Sequence, residues 1–430
     1  MKPVPPLWVL YEGQTIGLLG YESKAEEFTF EYAKEWIEKK GFHLSPIISP
    51  DVRLEKGAVT RFLENLLPEG EGLRNLARLL KINSSNLYSL IEAIGAETTG
   101  ALTISRIQQE PKSEFRPIDR KELTERIGDR KQRPITTWDG RPRLSVAGVQ
   151  EKLPIINRDG KFGLGEGSYA STHILKFGNE LSNYLVLNEY FCMSLAKAVG
   201  LGVAECELLD FNERVLNVKR FDRIWQSAER VKRLHLIDGC QALDLSPKTK
   251  YERFLGDEPH VKDITGPATL ENLYKFCEKT KTPAKTRLEL LQWLAFNLLV
   301  GNCDCHVKNI SFFIDDSGIT LAPFYDLVSV TMYPELEQSL AFHVGDTFVL
   351  EEVNGYHLSK MASELNLNKS FVAIQFQKVI QGVQKSLPKI NVPDATADES
   401  KFLEKLLQDI GRRCNTLLEQ SSEVSKFSSV

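Results

Sequence analysis

Nine residues carry most of the structural information in this chain: Gly301-Asn302-Cys303-Asp304-Cys305-His306-Val307-Lys308-Asn309. Asp304 and Asn309 stand five positions apart, the spacing of a kinase catalytic loop in which the aspartate meets the substrate hydroxyl and the asparagine binds metal. The strongly apolar residues 288–300 come before the loop and predict a buried helix, and a strand-like segment follows it. The loop is therefore expected to be held at both ends.

A further carboxylate, Asp326, follows the catalytic loop in the sequence. Residues 310–314 and 319–322 flank a turn and predict a hairpin, and Asp326 comes seventeen residues after Asn309 at its far end. Carboxylate and amide oxygens suit Mg²⁺, so Asn309 and Asp326 are candidate metal ligands. The alternative is that Asp304 and Asn309 simply cap a turn, as these residue types often do. The correctly spaced Asp326 favours the catalytic interpretation.

Two upstream features extend this pattern. Lys176 ends an alternating stretch, which places its ammonium on one face of a strand, as in the kinase lysine that grips ATP phosphates. Glu189 lies on a predicted helix, residues 185–199, and could pair with Lys176; the alternative is that both side chains face solvent. The second feature is a candidate phosphate-covering loop, residues 145–152, which has one glycine where the usual kinase pattern has three.

Length, charge and cysteine content narrow the class of protein. A chain of 430 residues predicts about three domains. The net charge of −4 gives no overall attraction to nucleic acid, so any DNA contact would need a local patch or a partner. Seven cysteines without framework spacing indicate a reducing compartment, and the most apolar stretch is too short to span a bilayer. We expect a soluble, cytoplasmic protein.

The apolar patterns predict a small N-terminal α+β domain, then a sheet with one long helix, then a mostly helical remainder. Together with the catalytic-loop spacing they favour an α+β fold in which the N-terminal domain precedes a two-lobed protein-kinase-like core with a mostly helical C-lobe. Residues 1–105 open with a hairpin and form the first domain. Residues 106–225 contain a polar linker, residues 106–120, and the N-lobe with the phosphate-binding loop. Residues 226–430 form the helical C-lobe with the catalytic loop, and the hairpin after Asn309 is its one expected departure from helix.

Two polar clusters are assigned no chemistry. Cys303, Cys305 and His306 are too close in sequence to reach one tetrahedral zinc ion comfortably, and we expect them to pack the loop. Six basic residues alternate with acidic ones and are expected to form a solvated surface: Arg126, Arg130, Lys131, Arg133, Arg141 and Arg143.

Taken in order, the motifs resemble the HipA family of bacterial toxin serine/threonine kinases. The five motifs of the core are SVAGVQEK (145–152), THILKF (172–177), VKRFDR (218–223), GNCDCHVKN (301–309) and APFYDLVS (322–329). The N-terminal part is similar to the extra domain of this family through YEGQTIGLL (11–19), FTFEYAKEW (28–36), ENLLPEG (64–70) and IEAIGAETTGAL (91–102). The resemblance reaches from Leu7 to the 380s, and the C-terminal end lies outside it.

The resemblance implies a role for each matching residue. Asp304 would be the catalytic base, Asn309 and Asp326 would hold Mg²⁺, and Lys176 would grip the ATP phosphates. Ser145 would be the autophosphorylation site, where a phosphate's charge should expel the loop and inactivate the enzyme. The remaining implied nucleotide contacts are the phosphate loop, the adenine hinge and three pocket residues: Ala147, Gly148, Val149, Gln150, Glu151, Lys152, Lys219, Arg220, Phe221, His306, Lys308 and Tyr325.

The resemblance also implies a biological role. Such a kinase would be the toxin of a toxin–antitoxin pair, using ATP and Mg²⁺ to phosphorylate an aminoacyl-tRNA synthetase, typically the one for glutamate, so that translation stops and the cell becomes dormant. Its partner would be a helix-turn-helix antitoxin of HipB type, which would carry it to operator DNA in a repressor complex. Two alternatives remain: a catalytically silent co-repressor, and a small-molecule kinase on a related scaffold.

Overall fold

A computed structural model describes residues 4–143, 151–178, 184–256 and 258–427. The strands in these ranges are β1 (Leu7–Tyr11), β2 (Gln14–Glu22), β3 (Glu27–Tyr32), β4 (Thr103–Ser105), β5 (Glu114–Ile118), β6 (Thr137–Trp138), β7 (Arg141–Pro142), β8 (Lys152–Arg158), β9 (Lys161–Glu166), β10 (His173–Phe177), β11 (Cys206–Asp210), β12 (Arg214–Lys219), β13 (Arg223–Ser227), β14 (Arg230–Arg233), β15 (Leu236–Asp238), β16 (Ser311–Asp315), β17 (Gly318–Leu321), β18 (Ser339–Val344) and β19 (Thr347–Val349). The helices are α1 (Lys34–Glu38), α2 (Ala58–Glu64), α3 (Gly70–Leu80), α4 (Leu87–Ile94), α5 (Arg120–Gly128), α6 (Leu185–Val199), α7 (Gly239–Ala242), α8 (Leu270–Cys277), α9 (Pro283–Val300), α10 (Gly355–Glu364), α11 (Lys369–Ser386) and α12 (Ala397–Glu423).

The chain forms two compact units, and each is assembled from separate stretches. The first unit contains Met1–Phe177, Glu207–Pro247 and Phe312–Ile319, and the second contains Gly178–Cys206, Lys248–Ser311 and Thr320–Val430. The chain therefore passes between the units several times. The division into three parts at residues 105 and 225 stays a proposal.

The first unit opens with the predicted hairpin. Strands β1 and β2 pair antiparallel and meet at Tyr11 and Gln14. Glu12 and Gly13 both have positive φ, +48° and +78°, as the tight turn of a two-residue hairpin loop requires. Strands β3 and β4 complete a four-stranded sheet in the order β3-β2-β1-β4. The hairpin prediction is thus confirmed.

A second and larger sheet, with six strands in the order β11-β12-β10-β8-β9-β5, also lies in the first unit. One face of this sheet packs Leu153, Leu175 and Phe177 against Leu123 and Ile127 of α5 in a single buried cluster. Because side chains alternate across a strand, the residues between them, including Lys176, lie on the opposite face. The sheet therefore separates an apolar core from a face that carries charge.

Strand β5 corrects the prediction of a linker at residues 106–120. Residues 114–118 pair with β9 and form the edge of the six-stranded sheet. Only Ile118 of this strand is buried, because an edge strand can keep most of its side chains in solvent. The polar composition that indicated a linker is that of an exposed edge.

The second unit is built around α9, as the apolar sequence predicted. Helix α9 is buried on almost every side in its C-terminal half, and α8, α11 and α12 pack against it. The expectation of a single departure from helix after residue 226 was wrong. Strands β14, β15, β18 and β19 also lie there, and each has only three to six residues, too few to show a clear period of two. In the part of the chain that the structure covers, none of the helices has the length and apolar character needed to span a bilayer.

The predicted solvated basic surface is wrong for Arg126. Its side chain is buried, with 4% of the residue exposed, and the guanidinium donates to the carbonyls of Arg133, Pro134 and Thr137 at 2.8–3.0 Å. Burial lowers the pKa of Arg126, which remains charged. The guanidinium also lies 4.9 Å from the centre of the Trp138 ring. Arg126 therefore holds the turn after α5 rather than facing solvent.

Candidate phosphoryl-transfer site

The catalytic-loop motif begins where α9 ends. Gly301 has φ +73° and ends the helix in the left-handed conformation, which glycine adopts without strain. The next residue, Asn302, bonds back to Asn297 through its backbone N–H at 2.9 Å and its side-chain amide at 2.7 Å. The Asn302 side chain also accepts from the N–H of Asp304 at 3.2 Å. Buried amides thus fix the start of the loop.

The loop presents the Asp304 carboxylate to solvent. Its side chain is 55% exposed, whereas Cys303, Cys305 and His306 around it are buried. Burial raises the pKa of the Cys303 thiol to about 12, so this residue is uncharged and packs the loop as predicted. An exposed carboxylate on a rigid, buried support has the arrangement that a general base for an incoming hydroxyl requires.

Asn309 has its amide oriented by the loop itself. Its Nδ2 donates to the backbone carbonyl of Asp304 at 3.0 Å, and its backbone N–H donates to the carbonyl of His306 at 2.9 Å. Because the amide nitrogen is engaged on the loop, Oδ1 is the atom that can serve a cation. The predicted pair therefore lies on one turn, with a geometry that fits the metal role.

Asp326 lies in a constrained backbone. Its φ is +60°, which is uncommon for a residue other than glycine and recurs at functional sites. The residue before it, Tyr325, donates from its hydroxyl to the carbonyl of Lys308 at 2.9 Å and lies 2.8 Å from Ser311 Oγ. Tyr325 thereby ties the start of the Asp326 segment to the end of the catalytic loop.

The donor set fits Mg²⁺ rather than a metal held by protein alone. Among the described residues there is no group of three or more histidine, cysteine, aspartate or glutamate side chains able to hold a metal ion. Asn309 and Asp326 offer one amide oxygen and one carboxylate, and Mg²⁺ in phosphoryl-transfer sites takes its remaining ligands from phosphates and water. The chemistry of these residues is therefore consistent with a metal that arrives with a nucleotide.

His306 is a neutral residue beside the carboxylate of Asp304. Burial lowers its pKa well below the usual range, and the nearby charge of Lys250 acts in the same direction, while Asp326 opposes it. Its Nε2 lies 3.9 Å from Asp304 Oδ1. A neutral imidazole cannot form a strong ion pair with Asp304, so the carboxylate keeps its capacity to accept a proton.

One residue of the site was missed by the sequence reasoning. The hydroxyl of Tyr251 donates to Oδ1 of Asp304, and its ring contacts the ring of His306 edge-on, with centroids 4.9 Å apart. The ammonium of Lys250 lies 5.4 Å from the centre of the same Tyr251 ring. Tyr251 comes 53 residues before Asp304 in a polar segment without a motif, so no local pattern could have identified it.

In the first unit, Lys176 lies on the charged face of the six-stranded sheet. It is 8% exposed and stands opposite Lys152 in the register of β10 and β8. Glu151, just before Lys152, lies 3.4 Å from Arg130, and burial raises the pKa of its carboxyl. Glu189, on α6 of the second unit, is 1% exposed, so the alternative of a solvated glutamate is wrong. Its pairing with Lys176 stays a prediction.

The predicted hinge, Lys219 to Phe221, follows β12. Arg220 is buried, and its guanidinium donates to Asp222 at 3.0 and 2.9 Å and to Ser171 Oγ at 3.0 Å. Its backbone N–H donates to the carbonyl of Thr172 at 2.9 Å. Lys219 is the last residue of β12, and Phe221 lies in the turn that follows it. Their contacts with adenine stay a prediction.

Five predicted residues lie outside the described residues: Ser145, Ala147, Gly148, Val149 and Gln150. Their assignment to the phosphate loop and to autophosphorylation stays a prediction.

The class of protein follows from these features. An aspartate and an asparagine five positions apart between a buried helix and a hairpin, an aspartate after that hairpin, and a lysine on an antiparallel sheet define a protein-kinase-like core. Comparison with protein families shows that the chain belongs to the HipA family. The HipA N-terminal domain matches residues 7–105, and the HipA-like C-terminal domain matches residues 144–387.

Individual relatives agree with this assignment. The chain is 37% identical to the "Serine/threonine-protein kinase toxin HipA" of Shewanella oneidensis over 95% of each protein, and 29% identical to "Putative kinase Y4mE" of Sinorhizobium fredii over 89% of this chain and 91% of that one. HipA in a solved complex from Shewanella oneidensis with HipB and operator DNA superposes with a TM-score of 0.89 at 36% identity, covering 98% of this chain and 100% of that one. The predicted family, fold class and enzyme class, a serine/threonine protein kinase, are thereby confirmed, and the chain is a HipA-like kinase toxin of the toxin–antitoxin type.

Proposed function

We propose that this chain transfers the γ-phosphoryl group of Mg²⁺-bound ATP to serine or threonine, as the toxin of a type II toxin–antitoxin pair. The observation that carries the proposal is the catalytic loop, in which the Asp304 carboxylate is exposed and the Asn309 amide is oriented by its hydrogen bond to the backbone carbonyl of Asp304. A module that only bound a partner would have no need of this arrangement.

In the proposed reaction, Asp304 accepts the proton of the acceptor hydroxyl as its oxygen attacks the γ-phosphorus, the bond from that phosphorus to the β–γ bridging oxygen breaks, and ADP leaves. Asn309 Oδ1 and the Asp326 carboxylate would hold Mg²⁺, which would neutralise charge on the phosphates. Lys176 and Lys152 contact the phosphates from the charged face of the sheet. The other proposed nucleotide contacts are His306, Lys308 and Tyr325, the hinge from Lys219 to Phe221, and the loop from Ala147 to Glu151.

The proposed protein substrate is an aminoacyl-tRNA synthetase, with the glutamate enzyme as the first candidate, and its phosphorylation would halt translation and produce dormancy. The proposed partner is a HipB-type helix-turn-helix antitoxin, supported by the solved complex of a relative with HipB and operator DNA. The net charge of −4 supports operator contact made mainly through that partner. The proposal places the reaction in the cytoplasm, where translation occurs.

Autophosphorylation of Ser145 is part of the proposal. A phosphate would add about −1.5 to −2 charge to a segment proposed to cover other phosphates. Repulsion between these groups would displace the loop and end activity, so the kinase would limit itself.

The test is incubation with labelled ATP and Mg²⁺, with Asp304→Ala as the matched variant and with a chelator as a second control. We expect label in the wild type alone, mapped by peptide analysis to Ser145, and a loss of at least ~10²-fold in Asp304→Ala with ATP binding retained. If unphosphorylated wild-type protein takes up no label on itself or on glutamate–tRNA ligase, the proposal is overturned in favour of a silent co-repressor.

A further inference from the structure

The C-terminal helix α12 lies beyond residue 387, where the family match ends, yet it reaches the end of α9. Arg413 of this helix is 8% exposed. Its Nε donates to the carbonyl of Leu299 at 2.8 Å, and its Nη2 donates to the carbonyl of Val300 at 3.1 Å. The last carbonyls of a helix lack partners within the helix and carry partial negative charge. Arg413 therefore caps α9 immediately before the catalytic loop.

The same guanidinium is joined to the segment that follows Asp326. Asp409, one turn earlier on α12, accepts from Arg413 Nη1 at 2.8 Å. The same oxygen, Oδ2, also accepts from Thr331 Oγ1 at 3.3 Å. One carboxylate thus connects the cap of α9 to a residue five positions after Asp326.

Gly301, at the start of the catalytic loop, contacts the same residues directly. Its carbonyl accepts from the backbone N–H groups of Val330 and Thr331 at 2.9 and 3.2 Å. A Cβ atom at Gly301 would lie 2.4 Å from Thr331 Oγ1 and 2.9 Å from Arg413 Cζ, so these three residues are in close contact. The beginning of the catalytic loop and the segment after Asp326 are therefore bound both to each other and to α12.

We propose that Arg413 is a positioning residue for phosphoryl transfer. It touches no reacting atom, but it fixes the end of α9 at Val300, four residues before Asp304, and through Asp409 and Thr331 it fixes the segment that follows Asp326. An error of about 1 Å between such groups can reduce a rate by ~10²-fold. The expected effect of Arg413 on the rate rests on the proposed function. Its effect on the order of residues 301–309 and 326–332 rests on geometry alone.

Arg412 provides a matched control. It lies next to Arg413 on α12 and also donates to Asp409, at 2.7 Å, but its side chain is 68% exposed and donates to no carbonyl of α9. Removing Arg412 changes the charge of the helix and one contact to Asp409 while leaving the cap of α9 in place. A general effect of charge or of α12 stability would therefore appear in both variants.

The experiment compares the full-length wild type with Arg413→Lys and Arg412→Gln. Lysine keeps the charge at position 413 but cannot reach two carbonyls and a carboxylate at once as a planar guanidinium can. We measure kcat, the KM for ATP, the Mg²⁺ concentration for half-maximal rate, and amide hydrogen exchange by mass spectrometry. In Arg413→Lys we expect kcat to fall about tenfold or more with the KM for ATP within about twofold, and the Mg²⁺ requirement to rise.

Hydrogen exchange separates the inference from the proposed function. In Arg413→Lys, peptides covering residues 301–309 and 326–332 should exchange faster, whereas Arg412→Gln should match the wild type. Unchanged exchange in these peptides, or equal changes in both variants, overturns the inference whether or not the protein is an active kinase. If Arg413→Lys does not fold, Thr331→Val removes the hydroxyl that contacts Asp409 and Ser329 but leaves the cap of α9 in place, and it should give the same pattern with a smaller loss of rate. Wild-type exchange in this variant would also overturn the inference.

Discussion

Lys152 and Lys176 stand directly opposite each other on β8 and β10, on the face of the sheet turned away from its apolar core. Residues opposite each other in an antiparallel pair have Cβ atoms about 5 Å apart, and like charges at this position destabilise the sheet. An anion with two or more charged oxygens can contact two neighbouring ammonium groups at once. The register of the two strands thus supports the proposal that ATP phosphates bind at this face.

The first prediction concerns this pair. Lys176→Met should weaken ATP binding by about tenfold or more, because one of two ammonium groups proposed to contact the phosphates is lost. Lys152→Met should weaken it less, because Lys176 still contacts the phosphates in this variant. Titration calorimetry measures both affinities.

Lys161→Met is the matched control for this pair, because Lys161 is an exposed lysine on the neighbouring strand β9. ATP affinities that are equal in the control and both variants would remove the pair from the nucleotide site.

The second prediction concerns Tyr251, whose hydroxyl occupies Oδ1 of Asp304. An acceptor hydroxyl must bond the same carboxylate before attack, so it competes with Tyr251. Tyr251→Phe should lower the KM for glutamate–tRNA ligase by about two- to tenfold, the worth of one hydrogen bond, with the KM for ATP unchanged. Steady-state kinetics test this, with the exposed Tyr356→Phe as control. A raised KM for the acceptor would show that Tyr251 supports substrate binding instead.

The third prediction concerns Ser145. Ser145→Ala should abolish self-labelling while phosphorylation of the protein substrate continues for longer, because the inactivating phosphate cannot form. Ser145→Asp should reduce substrate phosphorylation, since it introduces part of that charge. Phosphopeptide mapping together with a time course of substrate labelling distinguishes the variants. Full self-labelling of Ser145→Ala would move the site to another residue.

The fourth prediction concerns the pH dependence of stability. His235 is buried against the ring of Phe42, and its Nε2 lies 2.9 Å from the carbonyl of Leu44. Burial lowers the pKa of His235 to about 4. Between about pH 6.5 and 4 the unfolded chain binds a proton at this residue that the folded chain does not. Stability contributed by His235 is therefore present above pH 6.5 and lost as the pH falls toward 4, by about 3 kcal/mol in all.

His235→Gln keeps a donor for the Leu44 carbonyl and removes the titration. Its free energy of unfolding, from urea titrations at several pH values, should fall less steeply than that of the wild type between pH 6.5 and 4. His260→Gln, at an exposed histidine, should keep the wild-type slope. Parallel slopes for wild type and His235→Gln would contradict the assignment.

Features with a local cause could be predicted from the sequence. Helix α6 has the predicted bounds, because the period of its apolar residues and the glycine that ends it are written within one segment. The Asp304 and Asn309 spacing likewise places both residues on one turn. Strand β15, which pairs with β16, and the edge strand β5, which pairs with β9, could not be predicted, because pairing with distant strands, and not their own pattern, makes them strands.

By itself, the sequence determined the family, the kinase-like class of fold and the candidate residues Asp304, Asn309, Asp326 and Lys176. Only the tertiary structure decided which side chains meet them. Tyr251 is hydrogen-bonded to Asp304 although 53 positions separate them in the sequence, and Arg413 is hydrogen-bonded to Leu299 across a separation of 114 positions. Periodicity reports which face of one element is apolar, but a buried polar group is stable only where packing brings it a partner, and that partner can come from anywhere in the chain.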